Sequence, residues 1–345
     1  MTRDGVQRPA GPRVFVNIQG ELTPAEEARV SAMDHGFLYG DSVYETVRTF
    51  GGELFLLDRH LDRLQRSLDR VFLPLPVSRM ELEREVHRTV RDVPFPGELM
   101  VRIVVSRGVG PVGLDVELCR EPRFMIYAID IAGAIPPQSD PTFEGDGEGR
   151  VDGVRVVISK VRRNSPRALD PSIKSGNFLN NILAFKEARD AGAHEALLCT
   201  ADGYLAEGTT ANVFVIRSGL IWTPRSWGIL DGITRAVLFE EANATGIPIG
   251  ETNIPPEALF TADEVFITSS VKGVVPVGCV NDRSVGDVVF GGVGQRGPLT
   301  HELQRLYQAR MEKECAASAA ARAASEGGPF LSGGPAKAAE VSGSI

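Results

Sequence analysis

Residues 171–200 read PSIKSGNFLNNILAFKEARDAGAHEALLCT, and this stretch decides the class of fold. Pro171 stiffens an opening loop, an apolar helix is predicted from about Phe178 to Ala191, and a strand from Glu195 to Thr200. A further strand, Val154–Ser159, precedes the loop. Strand, helix and strand in succession predict an α/β chain.

The same alternation extends outward on both sides. Towards the C-terminus, strands are predicted near Glu207–Ile216 and Leu220–Trp222, then a helix opening at Asp231-Gly232. Glu264–Thr268 and Val274–Val280 are the last strands, and Leu299–Cys315 is a final amphipathic helix. Towards the N-terminus, Arg13–Asn17 and Ser42–Phe50 alternate as strands. Gly51-Gly52 makes a hairpin turn to a returning strand, Glu53–Leu56. Asp58 is placed to cap a helix carrying Leu61, Leu64, Leu68 and Val71, and a second helix carries Met80, Leu82, Val86 and Val90. Leu99–Ser106 and Arg123–Asp130 complete the first half. Residues 132–150, AGAIPPQSDPTFEGDGEGR, have the composition of a connection between domains. The 345 residues are about twice a typical domain. The predicted division is a smaller α/β domain over 1–133, a linker over 134–150, a larger domain over 151–315 and a disordered Ala/Gly/Ser tail over 316–345.

Composition removes several function classes. Lys plus Arg total 37 against 45 for Asp plus Glu, a net charge of −8. This balance argues against a nucleic-acid or membrane-surface partner. No apolar run is long enough to span a bilayer, and the N-terminal segment lacks the apolar core of a signal peptide, so a cytoplasmic protein is expected. Cys119, Cys199, Cys279 and Cys315 lie far apart and are expected to be reduced thiols. The histidines show no ligand spacing, and no metal is expected. Gly108-Val-Gly110-Pro-Val-Gly113 formally matches GxGxxG, but Pro111 interrupts it and no helix has room to start before Pro122.

Only six lysines occur, Lys160, Lys174, Lys186, Lys272, Lys313 and Lys337, and none lies in the first 150 residues. The scarcity itself reads as a codon bias towards arginine. It nevertheless confines any primary-amine chemistry to a short list, from which Lys174 stands out. It sits in PSIKSGN, in a loop stiffened by Pro166 and Pro171, just ahead of an apolar helix. A lysine held near other cations can have a depressed pKa and act as a nucleophile. Glu207 lies in AEGTTANVF, Leu230–Arg235 reads LDGITR at a helix start suited to phosphate, and Ser269-Ser270 follows a strand. Arg59 lies in a first helical turn, where a guanidinium can take a phosphate. Singly, each is a cap, a surface charge or a serine-rich loop. Together they meet the needs of pyridoxal phosphate, which requires an amine for its aldehyde, a carboxylate for its ring nitrogen and donors for its phosphate.

These residues resemble the class IV, or fold-type-IV, pyridoxal-phosphate enzymes. That family holds branched-chain aminotransferases, D-amino-acid aminotransferases and aminodeoxychorismate lyases. The resemblance runs over about residues 13–312. Its blocks are HGFLYGDSVYETVRTFGGELFLLDRHLDRL, IKSGNFLNNILAFKEARDAGAHEALL, GYLAEGTTANVFVI, LDGITR and EVFITSSVKGVVPV, in that order. It implies a two-domain enzyme whose larger domain carries a mixed sheet or barrel. It further implies Lys174 as the catalytic, Schiff-base lysine and Glu207 as partner of the pyridine nitrogen. Arg59, Ile233, Thr234 and Ser270 would hold the phosphate, and Leu230 would pack on the ring. Tyr39, Tyr44, Arg102 and Arg107 would meet the substrate.

The segment SRGVGPVGLDVELCREPRFMIYAI looks most like the substrate-side loop of branched-chain aminotransferases. Three positions depart from their usual pattern: Phe178 in place of a tyrosine, Val271-Lys272 in place of small residues, and Thr46 in place of a glycine. The implied reaction is transamination between an amino acid, a branched-chain L-amino acid foremost, and a 2-oxo acid such as 2-oxoglutarate, in a homodimer. Lyase chemistry giving 4-aminobenzoate, D-amino-acid transamination and a non-catalytic binding protein are the other readings.

Overall fold

A computed structural model describes residues 13–131, 153–285 and 297–326, so the expected linker at 134–150 lies outside the described residues. The first half runs β1 (Val14–Ile18), β2 (Glu21–Pro24), α1 (His35–Tyr39), β3 (Ser42–Phe50), β4 (Glu53–Leu54), α2 (Leu57–Arg70), α3 (Arg79–Asp92), β5 (Leu99–Ser106) and β6 (Arg123–Asp130). The second half runs β7 (Val154–Arg162), α4 (Leu179–Asp190), β8 (Glu195–Cys199), β9 (Leu205–Gly208), β10 (Asn212–Arg217), β11 (Leu220–Pro224) and α5 (Ile233–Thr245). It continues through β12 (Ile249–Thr252), β13 (Glu264–Ser269), β14 (Gly273–Val280), β15 (Arg283–Ser284) and α6 (Pro298–Glu326).

The first six strands form an antiparallel sheet in the order β2-β1-β6-β5-β3-β4. Side chains alternate between its faces. Val43 and Val47 of β3 and Val101, Ile103 and Val105 of β5 enter a core closed by the leucine stripe of α2 and by Leu82 and Val86 of α3. The intervening residues, Tyr44, Thr46, Arg48, Met100 and Arg102, therefore belong to the opposite face, which becomes a wall of the site. A capping box between Ser78 and Glu81 starts α3. α2 begins one residue before the expected cap: Leu56, at φ 53°, holds the cap position without a side-chain bond, and Asp58 lies in the first turn.

The remaining strands form one mixed sheet, β12-β11-β10-β13-β14-β7-β8-β9, with β15 beside β14. β7 runs parallel to both β8 and β14. The sheet curls until β9 again lies against β10. Its middle strands read as unbroken apolar runs because both faces are covered. Val213, Val215, Val265 and Ile267 pack inside the curl, whereas Phe214, Ile216 and Phe266 meet α5 and α6 outside. The Phe214 and Phe266 rings stack with centroids 4.6 Å apart.

α6 corrects the expected tail. The helix does not stop at Cys315 but continues to Glu326, and Arg322 pairs with Glu53 of the first sheet. The segment 316–326 is rich in alanine, which favours helix without needing an apolar stripe.

Candidate active site

A cavity of about 310 Å³ opens where the exposed face of the first sheet meets the curled edge of the second. The Lys174 loop is fastened across this gap to β3. Tyr44 N–H donates to Lys174 O at 2.8 Å, Gly176 N–H to Ser42 O at 2.7 Å, and Lys174 N–H to Ser67 Oγ at 3.2 Å. Gly176 lets the loop approach closely here, since a Cβ at that position would force Ser42 Oγ to move. Lys174 Nζ thereby lies 4.5 Å from the centre of the Tyr44 ring, and the Arg102 guanidinium carbon lies 3.8 Å from it. Burial pushes the Lys174 ammonium down to about 8, with repulsion from Arg63 added and Glu45 opposing. Burial also raises the Tyr44 hydroxyl far above its ordinary value, which keeps it protonated.

Glu207, at the end of β9, lines the same cavity. Its carboxylate accepts from Arg163 Nε at 2.7 Å and from the Leu230 N–H at 3.0 Å, so its orientation is fixed from two sides. Arg163, just past the end of β7, is not among the residues the sequence singles out. Glu195, also missed, lies beneath the turn that follows Glu207. Its oxygens accept from the backbone and hydroxyls of Thr209 and Thr210, holding one wall of the cavity.

At the other end of the cavity, α5 starts at Ile233 with Gly232 as its cap and no side-chain capping bond, leaving first-turn amides free. Asn212 Nδ2 donates to Leu230 O at 3.0 Å and secures the approach. Ile233, Thr234, Ser269 and Ser270 line this end, where the buried Thr268 Oγ1 has no hydrogen-bond partner.

The arginine at this end is Arg63, not the expected Arg59. Arg59 lies one helical turn earlier on α2 and pairs with Glu240 of α5 at 2.6 Å, on the surface. Arg63 Nε and Nη2 grip Glu45 at 2.7 and 2.8 Å, while Nη1 donates to Asp231 O at 2.6 Å. His60 Nδ1 lies 2.7 Å from the second Glu45 oxygen. Burial opposes the charge on Glu45, but Arg63 outweighs it and holds the carboxyl well below its usual range. For His60, burial prevails and keeps the ring neutral.

Of the expected substrate residues, the structure brings Tyr44 and Arg102 into the cavity and leaves Tyr39 and Arg107 outside. Arg107 lies beyond the end of β5, bound to Asp41 and to the carbonyls of Val71 and Phe72. Tyr39 accepts from the Gly113 N–H at 3.1 Å. The 108–113 loop, expected on the substrate side, thus accompanies α1 and not this chain's cavity. Its Gly108, at φ 91°, packs so tightly on Glu121 O that no Cβ fits.

The profile of the amino-transferase class IV family matches residues 42–279, which include every group that lines the cavity. The chain belongs to the class IV aminotransferases. A Methanocaldococcus jannaschii protein, provisionally named a branched-chain-amino-acid aminotransferase, is 36% identical to this aminotransferase over 80% of its chain and 92% of the relative. The aminodeoxychorismate lyase of Bacillus subtilis is 32% identical over 85% and 94%. The solved branched-chain aminotransferase of Thermoproteus uzoniensis, crystallised with norvaline, superposes with a TM-score of 0.75 at 30% identity, covering 88% of this chain and 97% of that one.

Class IV aminotransferases use pyridoxal phosphate, and the cavity of this aminotransferase fits it. One cavity carries an amine of lowered pKa, an oriented carboxylate, and a helix start with an orphaned hydroxyl and an arginine beside it. Among the described residues, no group of histidine, cysteine, aspartate or glutamate could hold a metal ion. No helix among them is long and apolar enough to cross a membrane.

Proposed function

We propose that this aminotransferase moves amino groups between branched-chain L-amino acids and a 2-oxo acid such as 2-oxoglutarate, with Lys174 as its catalytic residue. The observation that carries the reading is that Lys174 and Glu207 line one cavity whose side is built from Tyr44, Met100 and Phe178. These walls suit an aliphatic side chain and exclude water.

Bound pyridoxal phosphate supplies an aldehyde and an electron-withdrawing ring that together make a substrate α-proton acidic. Glu207, aimed by Arg163 and the Leu230 amide, stabilises a positive ring nitrogen. Arg63, Ser270, Thr234 and the amide of Ile233 bind the phosphate, and Leu230 bounds the ring. Lys174 Nζ, lowered to about 8, is far easier to deprotonate than an ordinary lysine, and as a free amine it can take a proton from a carbon acid and return it elsewhere. Arg102, stacked on Tyr44, receives the substrate carboxylate. The likeness to the branched-chain enzymes supports an aliphatic donor, while the Bacillus subtilis lyase supports aminodeoxychorismate as the competing substrate. The exposed apolar face around α1 and α4 supports a homodimer.

A half-reaction screen tests this directly. Purified enzyme is mixed with L-leucine, L-valine, L-isoleucine, D-alanine or aminodeoxychorismate, and loss of the yellow absorbance is followed together with product identity. Conversion of the three L-amino acids to 2-oxo acids is expected, and Lys174→Ala abolishes it. Formation of 4-aminobenzoate, or conversion of D-alanine alone, overturns the reading.

A further inference from the structure

Glu195 opens β8 beside the cavity without lining it. It is 4% exposed, and among the described residues no cation forms an ion pair with it. A carboxylate buried in this way needs hydrogen-bond donors on both oxygens. One short segment provides most of them. Oε1 accepts from the Thr209 N–H at 2.9 Å and from the Thr209 hydroxyl. Oε2 accepts from the Thr210 N–H at 3.2 Å and from the Thr210 hydroxyl at 2.8 Å. Four donors are thus shared between two acceptor atoms, where glutamine would have only one.

That segment begins at the residue after Glu207. Gly208 N–H donates to Ala211 O at 2.6 Å and closes a four-residue turn. The Glu195 side chain packs on this turn so closely that a Cβ on Gly208 would lie 3.1 Å from Glu195 Cγ. From the other side Asn181 Nδ2, on α4, donates to Thr209 O at 2.7 Å. Every polar atom of Thr209 is therefore held, two of them by Glu195. All four turn residues line the cavity. Arg163 and the Leu230 amide aim the Glu207 side chain, but the backbone that carries it runs straight into this turn.

We propose that Glu195 is a positioning residue, which acts through the Gly208–Ala211 turn to hold Glu207 at the ring nitrogen of pyridoxal phosphate. The inference rests on the reading of Glu207 as partner of that nitrogen. A hydrogen bond between charged groups is sensitive to small displacements of either partner. Glu195→Gln keeps the size of the side chain but turns an NH2 group towards an N–H donor of the turn. The turn then has to move, and Glu207 moves with it.

Two ligands separate this role from a general one in folding. Pyridoxal phosphate carries the ring nitrogen, whereas its deaza analogue has a carbon there and keeps the aldehyde and the phosphate. Each is titrated into the full chain freed of cofactor, and binding is followed by ligand absorbance. Wild type is expected to prefer pyridoxal phosphate by about tenfold or more, the usual worth of one charged hydrogen bond. Glu195→Gln is expected to lose most of that preference, weakening pyridoxal phosphate by about tenfold and leaving the analogue within about twofold. Thr210→Val, at an exposed position of the turn, removes one bond to Glu195 without touching the core. It is expected to reduce the preference by about threefold, and it carries the test alone if Glu195→Gln does not fold. A preference equal to wild type in the variants that fold, or an equal loss of both ligands, overturns the proposal. Failure of the Glu207 reading is seen separately, as wild type that binds the two ligands equally well.

Discussion

Arg59 and Arg63 lie one turn apart on α2, and only their neighbours distinguish them. Arg59 and Glu240 are 34% and 41% exposed in their side chains, so their pair contributes less than about 1 kcal/mol. Arg63 and Glu45 are 4% and 0% exposed, and removing one partner strands a buried charge. Arg63→Met is therefore expected to cost about 3–5 kcal/mol of stability and to weaken pyridoxal phosphate binding by at least about tenfold. Arg59→Met leaves both nearly unchanged. Thermal unfolding and cofactor titration of the two variants decide the matter, and a larger loss of cofactor in Arg59→Met would restore the sequence assignment. The sequence could not separate these arginines because helical spacing brings both to one side of α2. Lys174 was legible for the opposite reason, since few lysines compete with it and prolines frame its loop. Glu195 and Arg163 were invisible because their partners lie in other strands and loops.

At the scale of elements, the strands and helices around the cavity follow from local sequence. The helix start after Asp231-Gly232, the helix after Lys174 and the hairpin at Gly51-Gly52 all lie where the apolar pattern and the glycines put them, although neither helix start carries a side-chain cap. What spacing does not reveal is how tightly one element sits on another. Gly232 has φ −67°, so alanine suffers no backbone strain there. A Cβ at this position would nevertheless overlap Asn212 Oδ1, whose amide holds Leu230 O. Gly232→Ala must displace Asn212 or the first turn of α5, the turn proposed to hold the phosphate. Its expected signature is a cofactor dissociation constant raised by about tenfold or more, with the far-ultraviolet spectrum intact. Asn212→Ala in the same chain relieves the overlap and recovers part of the affinity. Full affinity in Gly232→Ala alone would show that the phosphate does not depend on this turn.

For the whole molecule, length predicts two domains, and the described residues form two sheets with separate apolar cores, but no local pattern says how the sheets meet. Their union depends on pairs far apart in sequence, such as Arg48 with Val271 and Arg322 with Glu53, and on α6, whose alanine-rich end carries no apolar pattern to read. One face stays uncovered in the single chain. Phe37 is 74% exposed, Val112 72%, Leu114 87% and Ile182 57%, and Leu179 and Leu183 are also exposed. Gly40, closing α1, lies against Asn177, just ahead of α4, so these residues adjoin. Apolar patches of this kind mark interaction surfaces, and a second copy of the chain would cover like with like about a two-fold axis. Light scattering is expected to give the mass of two chains for the wild type. Ile182→Glu combined with Leu114→Asp places charge in the face twice over in a two-fold dimer, since each substitution occurs in both copies, and is expected to yield one chain. Both side chains are exposed in the isolated chain, so the folded lobes should keep their unfolding temperature apart from any loss due to dissociation. A wild type of single-chain mass at micromolar concentration, or a variant that stays paired, would remove this face as the dimer contact.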